Sequence, residues 1–235
     1  MDSTNLIPVR ITNNIHTDLV GIDCDNRVVK GKYKPDFDFK KIQINDVGRY
    51  SITRPYEAKQ IIFIIQNTLN NLNLNSENCV ITDGTSGVGG DTIHFSKYFK
   101  SVNAIDILKE NTDLLRSNCK TFGIDNVNII TNDYVKIINY IHQDVLYLDP
   151  PWGGIGYKDK DKIELEMSDI PIYRVLGKLE SNPLIFLKLP LNADISKLDV
   201  IKIHNILNKK NSVSFYLVQI QRIVNIPLNV WNLTL

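Results

Sequence analysis

Cys79-Val80-Ile81-Thr82-Asp83-Gly84-Thr85-Ser86-Gly87-Val88-Gly89-Gly90 decides the fold. A short apolar, β-branched run meets an acid and then a turn carrying four glycines. A helical pattern over 92–99 follows, so the stretch opens a strand–helix–strand unit. The pattern repeats downstream. Strands over 102–105, 127–130 and 144–148 alternate with helices over 108–122, closed by Gly123, and over 135–141. Upstream, Ala58, Ile61, Ile62, Ile65, Leu69 and Leu72 recur at helical spacing behind Pro55, which suits a first turn. Beyond Asp149 come Pro150-Pro151-Trp152-Gly153-Gly154, a charged loop over 158–166, a helix over 170–179 and a strand over 184–189. A terminal β-hairpin, 200–206 and 213–220, turns around Asn208-Lys209-Lys210-Asn211. This alternation predicts an α/β fold: a Rossmann-like sheet, mostly parallel, with a C-terminal antiparallel β-hairpin and helices on both faces. Right-handed crossovers bring the carboxyl ends of the parallel strands to one edge. Asp83, Asp106, Asp133 and Asp149 all fall there, where open α/β sheets bind ligands.

The rest of the chain sets bounds. Its 235 residues suffice for one domain with a short arm. A hydrophobic share of 43% and a charged share of 23% exclude wholesale disorder. The net charge of +1 gives no global field, so an RNA partner has to be met by a local patch. Cys24, Cys79 and Cys119 form no C-x-x-C pair, which argues against a zinc site or a disulfide scaffold and predicts a reducing, intracellular compartment. Neither a signal peptide nor an apolar run of about 18 residues is read, so no membrane partner is expected. The abundant Asn, Ile and Lys reflect codon bias rather than a prion-like tract. Over 1–45 only short β-like pieces occur, Val9-Arg10-Ile11 and Arg27-Val28-Val29, with lysines interleaved among Tyr33, Phe37 and Phe39. The expected organisation is an arm over 1–45 that can extend the substrate site, a domain over 46–224 and a tail over 225–235, as a monomer.

Three constellations carry chemistry. An acid at the head of the glycine turn, Asp83, repels a pyrophosphate but attracts an ammonium group, such as that of S-adenosylmethionine. Taken alone, the turn is a weak signal, since many plain strand–helix connections carry glycine. Asp106 fits a ribose-hydroxyl acceptor and Asp133 an adenine-amine acceptor, and both also fit helix N-caps. Asp149-Pro150-Pro151-Trp152 is the most specific. Two prolines stiffen the turn and remove its N–H donors, leaving carbonyls and a carboxylate to accept both hydrogens of a planar amine. Trp152 offers a flat face for a base, more favourable for a cationic one.

The glycine turn after Asp83, Asp106 after a strand and Asp149-Pro150-Pro151-Trp152 resemble class I S-adenosylmethionine-dependent amino methyltransferases. The longer run Pro150-Pro151-Trp152-Gly153-Gly154 with Tyr157 is narrower and resembles the trimethylguanosine synthase family of RNA cap guanine-N2 methyltransferases. Gly87-Val88-Gly89-Gly90-Asp91-Thr92-Ile93, Ser51-Ile52-Thr53 and Leu189-Pro190-Leu191-Asn192-Ala193-Asp194-Ile195 are similar to that family too, over roughly 46–222. The resemblance implies that Asp83, Gly84, Thr85, Gly87, Gly89, Asp106, Ile107, Asp133 and Asp149 hold S-adenosylmethionine, which leaves as S-adenosylhomocysteine. It implies no metal. It makes Asp149, Pro150 and Trp152 the catalytic group, with Trp152, Tyr157 and Lys188 against a capped RNA or 7-methylguanosine nucleotide. The chain departs from the pattern at Asp149, where the family often has Ser. It departs again at Leu191, where the family usually has Arg, and Lys188 is the substitute cap-phosphate contact. The family's aromatic and basic segment ahead of the domain has no recognisable counterpart; Tyr33, Phe37, Phe39 and the nearby lysines fit either a replacement for it or, at least as well, an arm packed on the domain with its lysines in solvent. Two other readings share these residues: methylation of guanine N2 or adenine N6 in other RNA or DNA, and a non-catalytic cap-binding module. The intact turn after Asp83 argues against the second.

Overall fold

The computed structural model describes residues 37–220. The pieces at Val9-Arg10-Ile11 and Arg27-Val28-Val29, Tyr33 and Cys24 lie outside the described residues, as does the tail over 225–235 with Trp231. In chain order the described elements are α1 (Gly48–Ser51), α2 (Pro55–Asn71), β1 (Val80–Asp83), α3 (Thr92–Phe95), β2 (Ser101–Asp106) and α4 (Lys109–Phe122). Then come β3 (Val127–Thr131), α5 (Tyr134–Ile137), β4 (Val145–Leu148), β5 (Glu166–Met167), β6 (Ile170–Pro171), α6 (Ile172–Gly177), β7 (Leu184–Leu189), β8 (Val200–Leu207) and β9 (Val213–Ile220).

Seven strands form one sheet in the order β3-β2-β1-β4-β7-β9-β8. The first five run parallel, and β9 pairs antiparallel with both β7 and β8. This is the expected mostly parallel Rossmann-like sheet with its antiparallel hairpin. Alternation along the strands separates two cores. Val145, Tyr147 and Phe186 pack beneath α2 and α3 with Ile61, Ile65 and Phe95. Leu146, Leu148, Ile185 and Leu187 pack beneath α5 and α6 with Val135, Ile172 and Val175. Every residue of β4 is buried, as a strand covered on both faces requires.

The strongly periodic helices stand where their spacing places them. Pro55 opens α2, and Gly123 closes α4 at φ 64°, a left-handed conformation that glycine adopts without a Cβ clash. The weaker patterns are shorter than expected. The pattern over 92–99 is helical only to Phe95, where Ser96 Oγ turns back to the Ile93 carbonyl at 2.8 Å. The pattern over 135–141 is helical at Tyr134–Ile137. Over 170–179, Ile170–Pro171 pairs instead with Glu166–Met167 across a turn at Ser168 and Asp169, whose φ values are 51° and 60°. Pro171 is extended at ψ 137° and caps α6, which begins one residue later.

Residues 37–45, the described end of the expected arm, lie against the domain. Phe37 packs on Phe122 at 5.0 Å between ring centroids, and Asn118 exchanges hydrogen bonds with the Gln43 backbone at 2.7 and 2.9 Å. No helix among the described residues is long and apolar enough to cross a membrane.

Candidate active site

The sheet order reverses between β1 and β4, and two adjoining cavities open at the carboxyl ends of these strands. The smaller, about 330 Å³, is floored by the turn that follows β1. Three backbone bonds fix that turn: Gly84 N–H donates to the Tyr147 carbonyl at 3.0 Å, Ser86 N–H to the Ile105 carbonyl at 2.8 Å, and Gly87 N–H to Asp106 Oδ2 at 2.9 Å. Gly84, Thr85, Gly87, Asp106, Ile107, Asp133 and Asp149 all line this cavity. Asp106 Oδ1 also accepts from Leu108 N–H and Asn111 Nδ2, so its carboxylate is held rigidly. Asp133 caps α5, its Oδ1 accepting from Val135 N–H at 3.0 Å, and also lines the cavity.

Two expected residues stand behind the lining. Gly89, at φ 103°, lies where a Cβ would come within 2.4 Å of Leu115. Asp83 is 1% exposed and points into the protein, accepting from Thr92 Oγ1 at 2.6 Å. Burial and the neighbouring Asp91 push its carboxyl up to about 8. From this turn the acid in the cavity lining is instead Asp91, which was not among the expected site residues. Its Oδ2 accepts from Thr53 Oγ1 at 2.6 Å and Tyr147 Oη at 3.1 Å, and its buried Oδ1 has no hydrogen-bond partner among the described residues. Ser86 Oγ, in the same lining, is buried and without a partner too. The only signal for Asp91 in the sequence is an acid directly after the last glycine of the turn.

The larger cavity, about 930 Å³, is a cleft over the Pro150-Pro151-Trp152 turn and also takes in Tyr157, Lys188 and Phe215. Asp149, Pro151 and Thr53 line both cavities. The Asp149 N–H donates to Thr85 Oγ1 at 2.7 Å, which couples the two turns. Trp152 lies edge-on to Tyr157 at 5.2 Å and to Phe215 at 6.2 Å, and its buried Nε1 has no acceptor among the described residues.

Lys188 differs from its expected role. Its side chain is 4% exposed, and its ammonium donates to Asp149 Oδ2 and to Thr53 Oγ1, both at 2.7 Å. It lies 4.9 Å from the Phe215 ring centroid. An ammonium so enclosed is committed to Asp149 and does not reach out to a phosphate. Burial lowers the Lys188 pKa, and Asp149 and Asp91 more than reverse this, so it stays protonated. Burial raises Asp149 and Lys188 draws it down again, leaving it at about 6. Leu191 is 49% exposed and outside the lining of the cleft. Among the described residues no group of three or more His, Cys, Asp or Glu side chains is arranged to hold a metal ion.

A family model described as RNA cap guanine-N2 methyltransferase matches residues 78–234. The chain is 33% identical over 204 residues to an uncharacterised protein of Acanthamoeba polyphaga mimivirus, covering 72% of this chain and 80% of that one. It is 28% identical over 127 residues to the trimethylguanosine synthase of Saccharomyces cerevisiae, covering 50% of this chain and 40% of the yeast protein. Among solved structures, the T. thermophilus 16S rRNA N2 methyltransferase in complex with AdoMet and guanosine superposes with a TM-score of 0.55 at 11% identity, over 74% of this chain and 44% of that one. At that identity the likeness is one of fold.

Proposed function

Because the chain belongs to the RNA cap guanine-N2 methyltransferase family, we propose that it methylates the exocyclic N2 amine of 7-methylguanosine in RNA caps, with S-adenosylmethionine as donor. The product is 2,7-dimethylguanosine, and a second turnover gives 2,2,7-trimethylguanosine. The observation that carries this reading is the place of Asp149 on the wall common to both cavities, with Trp152 on the cleft side alone. The same reading makes 46–224 the methyltransferase domain, 1–45 its arm and 225–235 its tail.

The smaller cavity suits S-adenosylmethionine. Asp91, Asp106, Asp133 and Asp149 line it, matching a cationic ligand that also carries ribose hydroxyls and an adenine amine. The partnerless Asp91 Oδ1 and Ser86 Oγ are an acceptor and a hydroxyl in need of partners. Bound there, S-adenosylmethionine supplies a methyl group on a good leaving group, so no strong base has to act before attack.

The chain's own work is to position the amine. Asp149 and the Pro150 carbonyl accept its two hydrogens, turning the nitrogen lone pair toward the cofactor cavity. Lys188, itself held by Thr53, keeps the Asp149 carboxylate in orientation. Trp152 stacks on the cationic base, its ring fixed by Tyr157 and Phe215. Asp149 then takes the proton that the methylated amine releases. A carboxylate held near pH 6 is ionised at neutrality yet more basic than an ordinary Asp.

The test is transfer from labelled S-adenosylmethionine to 7-methylguanosine triphosphate, with GTP alongside and products resolved by chromatography. Label is expected in the first substrate only. Base stacking is worth ~1–3 kcal/mol, so Trp152→Ala should lower kcat/KM about 10–100-fold. Equal use of GTP, or full activity of the variant, would overturn the assignment.

A further inference from the structure

RNA carries one negative charge per phosphate, while the whole chain has a net charge of only +1, so a capped RNA must find its counter-charge locally. The bottom of the cleft does not provide it, since Lys188 is buried against Asp149. The rim does. Four exposed cations from three separate segments converge on it: Arg54 at the N-cap of α2, Lys158 in the turn after Trp152, and Lys209 and Lys210 at the tip of the β8–β9 hairpin. Among the described residues none of the four makes a salt bridge. The cleft's two acids are already engaged. Asp149 holds Lys188, and Glu57 accepts from Arg54 N–H at 3.2 Å and from Ser214 Oγ at 2.7 Å. The cleft lining thus carries five cations, Arg54, Lys158, Lys188, Lys209 and Lys210, against two carboxylates, a local net charge of +3.

The rim is also built rather than loose. Gln60 on α2 clamps the Leu207 backbone from both sides, donating to its carbonyl at 2.8 Å and accepting from its N–H at 3.0 Å. Glu57 ties the same helix turn to β9. Asn208 Oδ1 accepts from Lys210 N–H at 2.8 Å and Ser212 N–H at 3.2 Å, which shapes the hairpin tip. These bonds fix the hairpin that carries Lys209 and Lys210 on the same cleft as Arg54. The cleft, at about 930 Å³ against about 330 Å³ for the cofactor cavity, has room for more than a single nucleoside.

We propose that Arg54, Lys158, Lys209 and Lys210 form a phosphate-binding rim for the RNA chain leaving the cleft, so that capped RNA is preferred over the cap nucleotide alone. This rests on the cap-methylation reading above. The test measures kcat/KM of the full chain on 7-methylguanosine-capped RNA of ten nucleotides and on 7-methylguanosine triphosphate, between 50 and 200 mM salt. Capped RNA should be the better substrate, with a steep salt dependence. K209Q/K210Q should raise KM for capped RNA about tenfold and flatten the log–log salt slope by about 1.4, near 0.7 for each cation lost on a single strand. K100Q/K120Q, which removes the same charge from exposed positions outside the cleft, should do neither. Equal kcat/KM for the two substrates, or a K209Q/K210Q enzyme with unaltered KM and slope, would sink the rim. Failure of the cap-methylation reading looks different: no 7-methylguanosine substrate is methylated at all. Fluorescence anisotropy of labelled RNA then decides the rim, and equal affinities of the wild type and K209Q/K210Q overturn it.

Discussion

Asp149 has a buried ammonium on one side and the cleft on the other, and its ionisation follows from that position. Burial raises its pKa, Lys188 lowers it, and the balance stands at about 6. An enzyme that needs the carboxylate loses activity as pH falls through that value. Lys188→Met removes the lowering influence, so the acid limb of the kcat/KM profile should move to higher pH, toward neutrality. An acid limb left in place would show that Lys188 does not act through Asp149. The place of Asp149, Pro150 and Trp152 on the cleft was legible in the sequence because a rigid proline turn is a local property. The role of Lys188 was not. Its clue is the one charged residue in Leu184–Leu189, a strand otherwise apolar and buried at its last five positions. Burial there forces a partner on any ammonium, but which carboxylate answers depends on strand order.

At the level of elements, α2 and the hairpin act as one piece through Gln60. Gln60→Ala strands the Leu207 N–H and carbonyl in a part-buried setting and deletes three hydrogen bonds, the third a 3.3 Å one to the Tyr56 carbonyl. A loss of ~1–3 kcal/mol is expected, which lowers Tm by roughly 2–10 °C for a domain of this size. Because the hairpin tip loosens too, KM for capped RNA should rise in the same variant, while that for 7-methylguanosine triphosphate should change less. Differential scanning fluorimetry and the two-substrate assay check both. Long amphipathic elements such as α2 and α4 follow their periodicity, since many apolar contacts agree on one face. The pattern over 170–179 did not, because Pro171 and the left-handed pair Ser168 and Asp169 favour a tight hairpin ahead of a late helix start. In short segments one turn outweighs a few apolar residues.

For the molecule as a whole, the acids behind and around the smaller cavity tie cofactor binding to stability. Asp83, raised to about 8, binds its proton more tightly in the folded state than in the unfolded one. Its contribution to stability is complete at low pH and is lost as pH climbs from the ordinary carboxylate range through about 8. A cationic cofactor in the adjoining cavity favours the ionised form of Asp83. S-adenosylmethionine at one fixed concentration, a hundred times its Kd at pH 6, should therefore raise Tm there by roughly 5–10 °C, from ~2.7 kcal/mol of linkage, and by more at pH 8, where its Kd is lower. A shift independent of pH would separate Asp83 from cofactor binding. The order of strands and helices, the shared edge for Asp106 and Asp149, and the proline turn with its tryptophan could be read directly from the chain, since each depends on neighbours within a few turns or strands. The inward turn of Asp83, the outward face of Asp91, the bond of Lys188 to Thr53 across 135 residues and the convergence of four rim cations could not. They arise where packing brings distant segments together, and side chains that lose water there must take the partners the fold supplies.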